Sequence, residues 1–87
     1  DEDGKVPPKG LEIFYVHENR EIVIRNPHLI QLNNALLNNT LGQQLMEYNN
    51  IPEIEETRLP VQDFGVGVYV ITISTEEGPV VRKIITE

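Results

Sequence analysis

The side chains of this 87-residue chain that could perform chemistry are few and lie far apart in sequence. A zinc site needs at least three convergent ligands, and nucleophilic catalysis needs a nucleophile, a base and a group that orients the base. His17 and His28 lie near predicted turns without neighbours of either kind, and Ser74 lacks the glycines of a nucleophile elbow. The sequence therefore predicts no catalytic residue, no metal site and no cofactor, so we do not expect an enzyme.

Carboxylates are the most numerous reactive groups, and they occur in three short clusters, Asp1 to Asp3, Glu53 to Glu56 and Glu76-Glu77. Paired carboxylates can bind calcium or act as acid and base. The opening Asp1 to Gly4 resembles the start of a calcium loop, but the later ligands of such a loop are missing. We therefore interpret these clusters as solvated groups that keep the protein soluble.

Composition excludes several classes of function. Fourteen acidic and seven basic residues give a formal charge of −7, which repels phosphate backbones and predicts no nucleic-acid binding. Without cysteine, the chain has neither a disulfide nor a thiolate metal site, so burial must stabilise one small domain. No apolar run reaches the roughly 18 residues of a spanning helix, and no signal-peptide core is present, so we predict no membrane insertion.

The first ten residues differ from the rest. Residues 1–10 are polar and contain Gly4, Gly10 and two prolines, as expected of a solvated linker. We assign residues 1–10 to a linker and residues 11–87 to one folded domain. On this interpretation the chain is a C-terminal domain excised from a larger protein, or a mature fragment whose signal peptide has been removed.

After Gly10 the apolar residues mostly alternate with a period of two, which predicts β-strands. One strand is expected at residues 11–16. A second, Glu21 to Arg25, should place Ile22 and Ile24 in the core and Glu21, Val23 and Arg25 outside. It ends at Asn26-Pro27, because proline cannot donate to a ladder. Residues 53–59 are expected to form an exposed edge strand. The terminal hairpin should consist of Val68 to Thr75, a turn at Glu76 to Pro79, and Val80 to Thr86.

The segment 29–48 is ambiguous. A helix is indicated by the spacing of its leucines and isoleucines and by Asn26-Pro27 as N-cap and N1, but four asparagines and Gly42 oppose it. The strand interpretation places Ala35 and Leu37 on one face, requires a bulge or kink at Asn33-Asn34, and puts a turn at residues 39–42. Pattern alone favours neither. With the strand option, the chain has about seven short strands and no helix, which is typical of an antiparallel β-sandwich.

Two glycines stand at positions with special backbone requirements. Gly42 falls where a tight turn needs a positive φ, and Gly67 precedes Val68-Tyr69 where a loop enters a strand and a backbone could approach closely. Both positions have a purely structural interpretation.

These pieces, in this order, resemble the type A C-terminal sorting domain of the type IX secretion system. Members of that family contain a strand, a turn with Leu-Gly-Gln, a Gly-Val-Tyr entry into a hairpin, and a final strand with a basic residue and an Ile/Val pair. Upstream they have a strand that ends in Asn-Pro. The corresponding residues here are Ile22 to Pro27, Ala35 to Gln43, Gly67 to Ile71 and Val81 to Ile85. Two departures are Asn38 to Thr40, where the family has an apolar residue, and the additional Thr86-Glu87.

The resemblance implies a seven-stranded, immunoglobulin-like sandwich and favours strands in segment 29–48. It also implies a non-enzymatic secretion and surface-anchoring signal that takes a fused N-terminal cargo protein through the type IX translocon, across the outer membrane, to the cell surface or the extracellular space. A sortase-like surface peptidase then usually removes the domain. The expected cleavage region is the flexible linker around Gly4, Lys5, Val6 and Gly10.

The residues we expect the translocon to recognise follow from those motifs. They are Gly42, Gln43, Gly67, Tyr69, Arg82, Lys83, Ile84 and Ile85. Arg82-Lys83 forms a positive spot on an acidic domain, and a free edge at the last strand could extend the sheet of a receptor. Exposed edges also make a dimer through edge strands a possible assembly. The alternative functions are an immunoglobulin-like adhesion or carbohydrate-binding module and a purely structural domain of a surface enzyme.

Overall fold

The computed structural model describes residues 10–86. Over this range the chain forms seven strands and no helix. The strands are β1 (Glu12–Val16), β2 (Glu21–Arg25), β3 (Leu32–Asn39), β4 (Gln44–Asn49), β5 (Glu56–Pro60), β6 (Gly67–Thr75) and β7 (Gly78–Thr86). The all-β prediction is confirmed, and the helical alternative for segment 29–48 is wrong.

The strands form two antiparallel sheets that pack as an immunoglobulin-like sandwich. The smaller sheet has the order β1-β2-β5, and the larger sheet has the order β4-β3-β6-β7. The predicted edge strand at residues 53–59 corresponds to β5, at an edge of the smaller sheet. The terminal strand β7 is likewise an edge, so its hydrogen bonds to the sheet all go to β6.

Alternating apolar residues from both sheets form one core. The smaller sheet contributes Ile22, Ile24 and Leu59, and the larger sheet contributes the inward side chains of β3, β6 and β7, namely Leu32, Ala35, Leu37, Tyr69, Ile71, Ile73, Val80 and Ile84. Burying each large aliphatic side chain contributes about 1.5–3 kcal/mol relative to leaving it exposed. Without disulfides, this burial is the principal stabilising term.

Val23 faces outward, as predicted, but it is buried. It is 1% exposed although it lies outside the core cluster. Its direct cross-strand neighbours on the outer face are Phe14 and Arg58, and the guanidinium of Arg25 lies 5.1 Å from the centre of the Phe14 ring. Alternation correctly predicted the face, but it could not show that long neighbouring side chains cover Val23.

β3 contains the irregularity that the strand interpretation required. Its pairing with β6 shifts register between Leu32 and Asn34, so that Leu32 and Ala35 are both buried despite being out of phase. A second shift, between Leu37 and Asn38, occurs opposite β4. The predicted bulge at Asn33-Asn34 is confirmed, and it is what makes the strand compatible with the apolar pattern.

The side chain of Asn26 organises the crossover from the smaller to the larger sheet. It is 1% exposed. Its Nδ2 donates to the carbonyl of Ile30 at 2.7 Å, and its Oδ1 accepts from the Ile30 N–H at 2.9 Å. Its own N–H donates to the carbonyl of Glu55 at 2.7 Å. These bonds satisfy buried polar groups while Leu29, with φ of 52°, turns the chain.

The terminal hairpin has a tighter turn than expected. Glu76-Glu77 forms the turn, and Gly78, with φ of 112°, already pairs with Thr75. The hydroxyl of Thr75 accepts from the Glu77 N–H and donates to the carbonyl of Gly78. Pro79, predicted in the turn, belongs to β7 opposite Ser74, which an edge strand tolerates because its outer side has no ladder.

Replacing Asn26 by alanine should lower the free energy of unfolding by about 2 kcal/mol, because it leaves the buried N–H and C=O of Ile30 without their partner. Asn33→Ala is the control, since Asn33 is exposed and should change stability by less than about 0.5 kcal/mol. Urea denaturation of both variants measures this. Equal stabilities would contradict the assigned role of Asn26.

Stability should fall between about pH 10 and pH 12 partly through Tyr48, whose hydroxyl donates to the carbonyl of Pro60 at 2.6 Å and thereby joins β4 to β5. Burial raises the pKa of Tyr48 to about 12. A raised folded-state pKa gives stability that is complete below the unfolded pKa, about 10, and is lost as pH rises to 12. Denaturation across this range should show a shallower loss for Tyr48→Phe than for the wild type. Identical slopes would contradict this assignment.

Candidate functional site

The larger sheet brings the sequence-distant motifs to one end. Its register pairs Asn39 with Tyr69, Tyr69 with Ile84, and Gly67 with Thr86. The β3–β4 turn, the entry into β6 and the last residues of β7 therefore share one end of this sheet, which we call the signal end (residues 39–43, 64–69 and 82–86). All eight residues predicted for recognition lie there. The β6–β7 turn is at the opposite end.

Asn39 builds the β3–β4 turn of the signal end. Its Oδ1 accepts from the N–H groups of Leu41 and Gln43, both at 2.9 Å. Its Nδ2 donates to the Oε1 of Gln43 at 2.8 Å. Gly42 has φ of 88°, as the turn prediction required, and its N–H donates to the carbonyl of Asn39. Asn39 belongs to the segment that departs from the family pattern, yet it supplies the polar groups that this turn needs.

Tyr69 connects the entry of β6 to the core. The residue is 9% exposed, and its hydroxyl lies 2.8 Å from the carbonyl oxygen of Gly65 and 3.0 Å from that of Phe64. A tyrosine near the start of a strand that bonds back to the preceding corner is the tyrosine corner of immunoglobulin-like sandwiches. The Phe64 and Tyr69 rings are 6.4 Å apart. Tyr69 thus holds residues 64–65 against the core.

Gly67 and Thr86 form the last pair of β6 and β7, at the end of the hairpin opposite its turn. The Gly67 N–H donates to the Thr86 hydroxyl oxygen at 3.2 Å, and that hydroxyl lies 3.1 Å from the carbonyl of Gly65. The close backbone approach predicted at Gly67 is wrong, because the nearest atoms to an added Cβ would be those of the Tyr69 ring at 3.9 Å. Sequence reasoning treated Thr86 only as an additional residue, and a single threonine gives no sequence signal for this role.

The basic residues of β7 point in opposite directions. Arg82 lies opposite the buried Ile71, on the inward side of the strand with Val80 and Ile84, and it is half-buried. Its Nη1 donates to the carbonyl of Val81 at 3.0 Å. Lys83 lies on the outward side with Val81 and Ile85 and is exposed. The predicted joint positive spot of Arg82 and Lys83 is therefore divided between two faces.

A pocket of about 190 Å³ adjoins the signal end, between the β1–β2 turn and the connection from β5 to β6. Its walls include the aromatic rings of Tyr15, Phe64 and Tyr69. At its rim, Arg20 and Asp63 form an ion pair of 3.8 Å. His17 lines this pocket, whereas His28 lies beside Gly10. Within residues 10–86, no group of three or more acidic, histidine or cysteine side chains could hold a metal ion.

The aromatic side chains do not form an exposed platform in the part of the chain that the structure describes. Tyr69 is buried, Tyr15, Tyr48 and Phe64 are half-buried against the core, and Phe14 lies beneath Arg25. Carbohydrate-binding modules stack sugars on exposed rings. The adhesion or carbohydrate-binding alternative therefore gains no support. In residues 10–86 there is also no helix of the length and apolarity needed to cross a membrane.

Three of the four residues expected in the cleavage region, Gly4, Lys5 and Val6, lie outside the described residues. The fourth, Gly10, is exposed with φ of 71°, and a Cβ there would come within 3.0 Å of the His28 ring. Gly10 thus lies against the folded domain, beside His28.

The chain is a small immunoglobulin-like sandwich, and the motifs that resemble the sorting-domain family lie at one end of its larger sheet. Residues 14–87 match the family described as the secretion system C-terminal sorting domain. The match covers most of the chain, so this chain belongs to that family. No curated protein matches it.

Members of this family are the C-terminal sorting signals of type IX secretion. The chain therefore directs an N-terminal cargo region to the type IX machinery, and hence across the outer membrane to the cell surface or the extracellular space. A sorting-signal family is not catalytic, which agrees with the absence of catalytic motifs from the sequence.

Replacing Tyr69 by phenylalanine should lower the free energy of unfolding by about 1 kcal/mol, because it removes the hydroxyl that bonds the carbonyls of Phe64 and Gly65, although Gly65 keeps the Thr86 hydroxyl as a donor. Tyr15→Phe is the matched control, since the Tyr15 hydroxyl forms no hydrogen bond to residues 10–86, and it should change stability much less. Thermal or urea unfolding of the two variants compares them. A larger loss for Tyr15→Phe would contradict the tyrosine-corner assignment.

Proposed function

We propose that this domain is a removable C-terminal address, which the type IX translocon reads at the signal end and a sortase-like surface peptidase cleaves from its cargo in the linker. The peptidase then joins the cargo to an anionic lipopolysaccharide. The observation that carries the proposal is that motifs about 40 residues apart, from Gly42 to Ile85, converge on one end of one sheet. A receptor can contact them together only when the domain is folded.

Burial divides the proposed recognition residues into two roles. Tyr69 and Ile84 are buried, so they shape the signal end from within. Gly42 and Gln43 form the turn beside them, and Gly67 holds the end of β7 through Thr86. Arg82 lines the inward side of β7. Lys83 and Ile85 are exposed, so a partner can contact their side chains directly.

The linker of residues 1–10 is the proposed cleavage region, around Gly4, Lys5, Val6 and Gly10. A protease needs extended, accessible backbone, and its two glycines and two prolines disfavour regular structure. The position of Gly10 beside His28 supports a domain boundary there, so that cleavage before Gly10 leaves the sandwich intact.

Pairing of two copies through edge strands is a further proposed assembly, and the four edges are not equivalent. On β7, the addition of a strand is opposed by the inward-pointing charge of Arg82 and by the proline at position 79. The edges β1, β4 and β5 are the remaining candidates. Sedimentation velocity of the 87-residue protein at increasing concentration tests this, and a monomer throughout would exclude the dimer.

Fusing residues 1–87 behind a reporter that carries a signal peptide should export the reporter in a bacterium with type IX secretion and should leave it in the periplasm of a translocon mutant. Removing Arg82 to Glu87 should abolish export while the reporter remains folded. Released reporter should end within residues 4–10, as mass spectrometry of its C-terminus can show.

Two outcomes would contradict the proposal. Export of the truncated fusion at the wild-type level would show that the terminal strand is not read. A cleavage site within residues 11–86 would show that the linker is not the peptidase substrate.

A further inference from the structure

The outward side of the terminal hairpin presents a group of apolar side chains around Lys83. Register places Val68 directly opposite Ile85, Val70 opposite Lys83, and Thr72 opposite Val81. Directly paired side chains lie about 4.5–5.5 Å apart at Cβ, close enough to form one surface. We call the surface formed by Val68, Val70, Val81, Lys83 and Ile85 the hairpin face.

Three apolar side chains of this face are exposed to solvent and do not pack in the hydrophobic core. Val68, Val81 and Ile85 are 38%, 55% and 56% exposed, and beyond them Leu41 and Val66, at the same end, are more than 80% exposed. Five of the eight large exposed apolar side chains in the described residues thus belong to the hairpin face or its adjacent turns. Single exposed apolar residues are common, whereas grouped ones indicate an interaction surface.

Lys83 is the basic residue on this outward face, whereas Arg82, which also forms no ion pair within residues 10–86, lies on the inward side of β7. The arginines Arg20, Arg25 and Arg58 all form ion pairs with carboxylates of neighbouring elements. Lys83 has no such partner among residues 10–86 and lies between Val81 and Ile85, in a protein of formal charge −7. It is therefore free to pair with a carboxylate on another molecule, and such pairing fixes the orientation of a complex.

The free edge of β7 is a poorer docking site than the face beside it. Arg82 points toward the inward side of this edge, and an inward-pointing charge on an edge strand opposes the addition of another strand. Val81, Lys83 and Ile85 point away from that obstacle. A partner that contacts these side chains needs no backbone pairing with β7.

We propose that the hairpin face is the surface by which the type IX machinery holds the domain, and that the contacting component presents an apolar patch carrying an aspartate or glutamate opposite Lys83. This inference rests on the proposed function, because it assigns the partner that reads the signal end. Burial of the aliphatic side chains would supply the affinity, and the lysine–carboxylate pair would supply specificity.

The exported reporter fusion tests this inference. Lys83→Glu should lower export at least about tenfold, because it places two negative charges together in the complex. Lys83→Arg keeps the charge and should remain within about threefold of the wild type. The double variant Val81→Thr, Ile85→Thr removes apolar surface and should also lower export at least about tenfold. The matched control is the double variant Leu29→Asn, Ile54→Thr, which removes similarly exposed apolar residues outside the signal end and should export normally. Asparagine is used at position 29 because it tolerates the positive φ of that residue.

Two further measurements make the result decisive. Thermal unfolding of each purified variant should match the wild type, so that lost export cannot reflect a lost fold. Chromosomal suppressors of Lys83→Glu should replace an aspartate or glutamate by lysine or arginine in an outer-membrane component of the machinery. Lack of export of the wild-type fusion would overturn the proposed function itself. Normal export of Lys83→Glu or of the Val81/Ile85 variant, with a normally exported wild type, would overturn only this inference.

Discussion

The register of β6 between β3 and β7 is the constraint on which the rest of this structure depends. Its inward residues Tyr69, Ile71, Ile73 and Thr75 are all buried, and a slip of one residue would move every one of them to the outside. The turn chemistry fixes that register at both ends, through the Tyr69 corner at the entry and the Thr75 hydroxyl at the turn. The same register aligns Asn39, Tyr69 and Ile84, and so creates the signal end.

Alternation and turn residues sufficed to predict the strands of the hairpin and of β2. The bulge at Asn33-Asn34 and the positive φ of Gly42 were predicted only on condition that segment 29–48 forms strands. These patterns could not decide whether segment 29–48 was helical, because leucines spaced three and four apart fit a helix as well as a bulged strand. Alternation also missed the covering of Val23, which depends on side chains from two other strands. The position of Pro79 in β7 depended on which edge of the sheet the strand occupies, and that is a property of topology.

Only the resemblance to a family could indicate which residues belong to the signal end. Their arrangement in space could be described only from the structure. No local pattern connects Gly42 with Ile85, since only the order β4-β3-β6-β7 brings them to one end. Sequence reasoning treated Arg82 and Lys83 as one positive spot, whereas strand alternation places their side chains on opposite sides of β7. Two of the proposed recognition residues, Tyr69 and Ile84, are also part of the hydrophobic core, so on this proposal the signal cannot be separated from the fold.

We propose that the type IX machinery reads the signal end of the folded domain. Site-specific photo-crosslinking during export tests it most directly, with a photoreactive residue in place of Leu41 or Ile85 at the signal end, or in place of Glu77 at the opposite end of the same sheet. We predict crosslinks to an outer-membrane component of the machinery from positions 41 and 85 and none from position 77. Crosslinks from position 77 alone, or equally from both ends, would contradict the account.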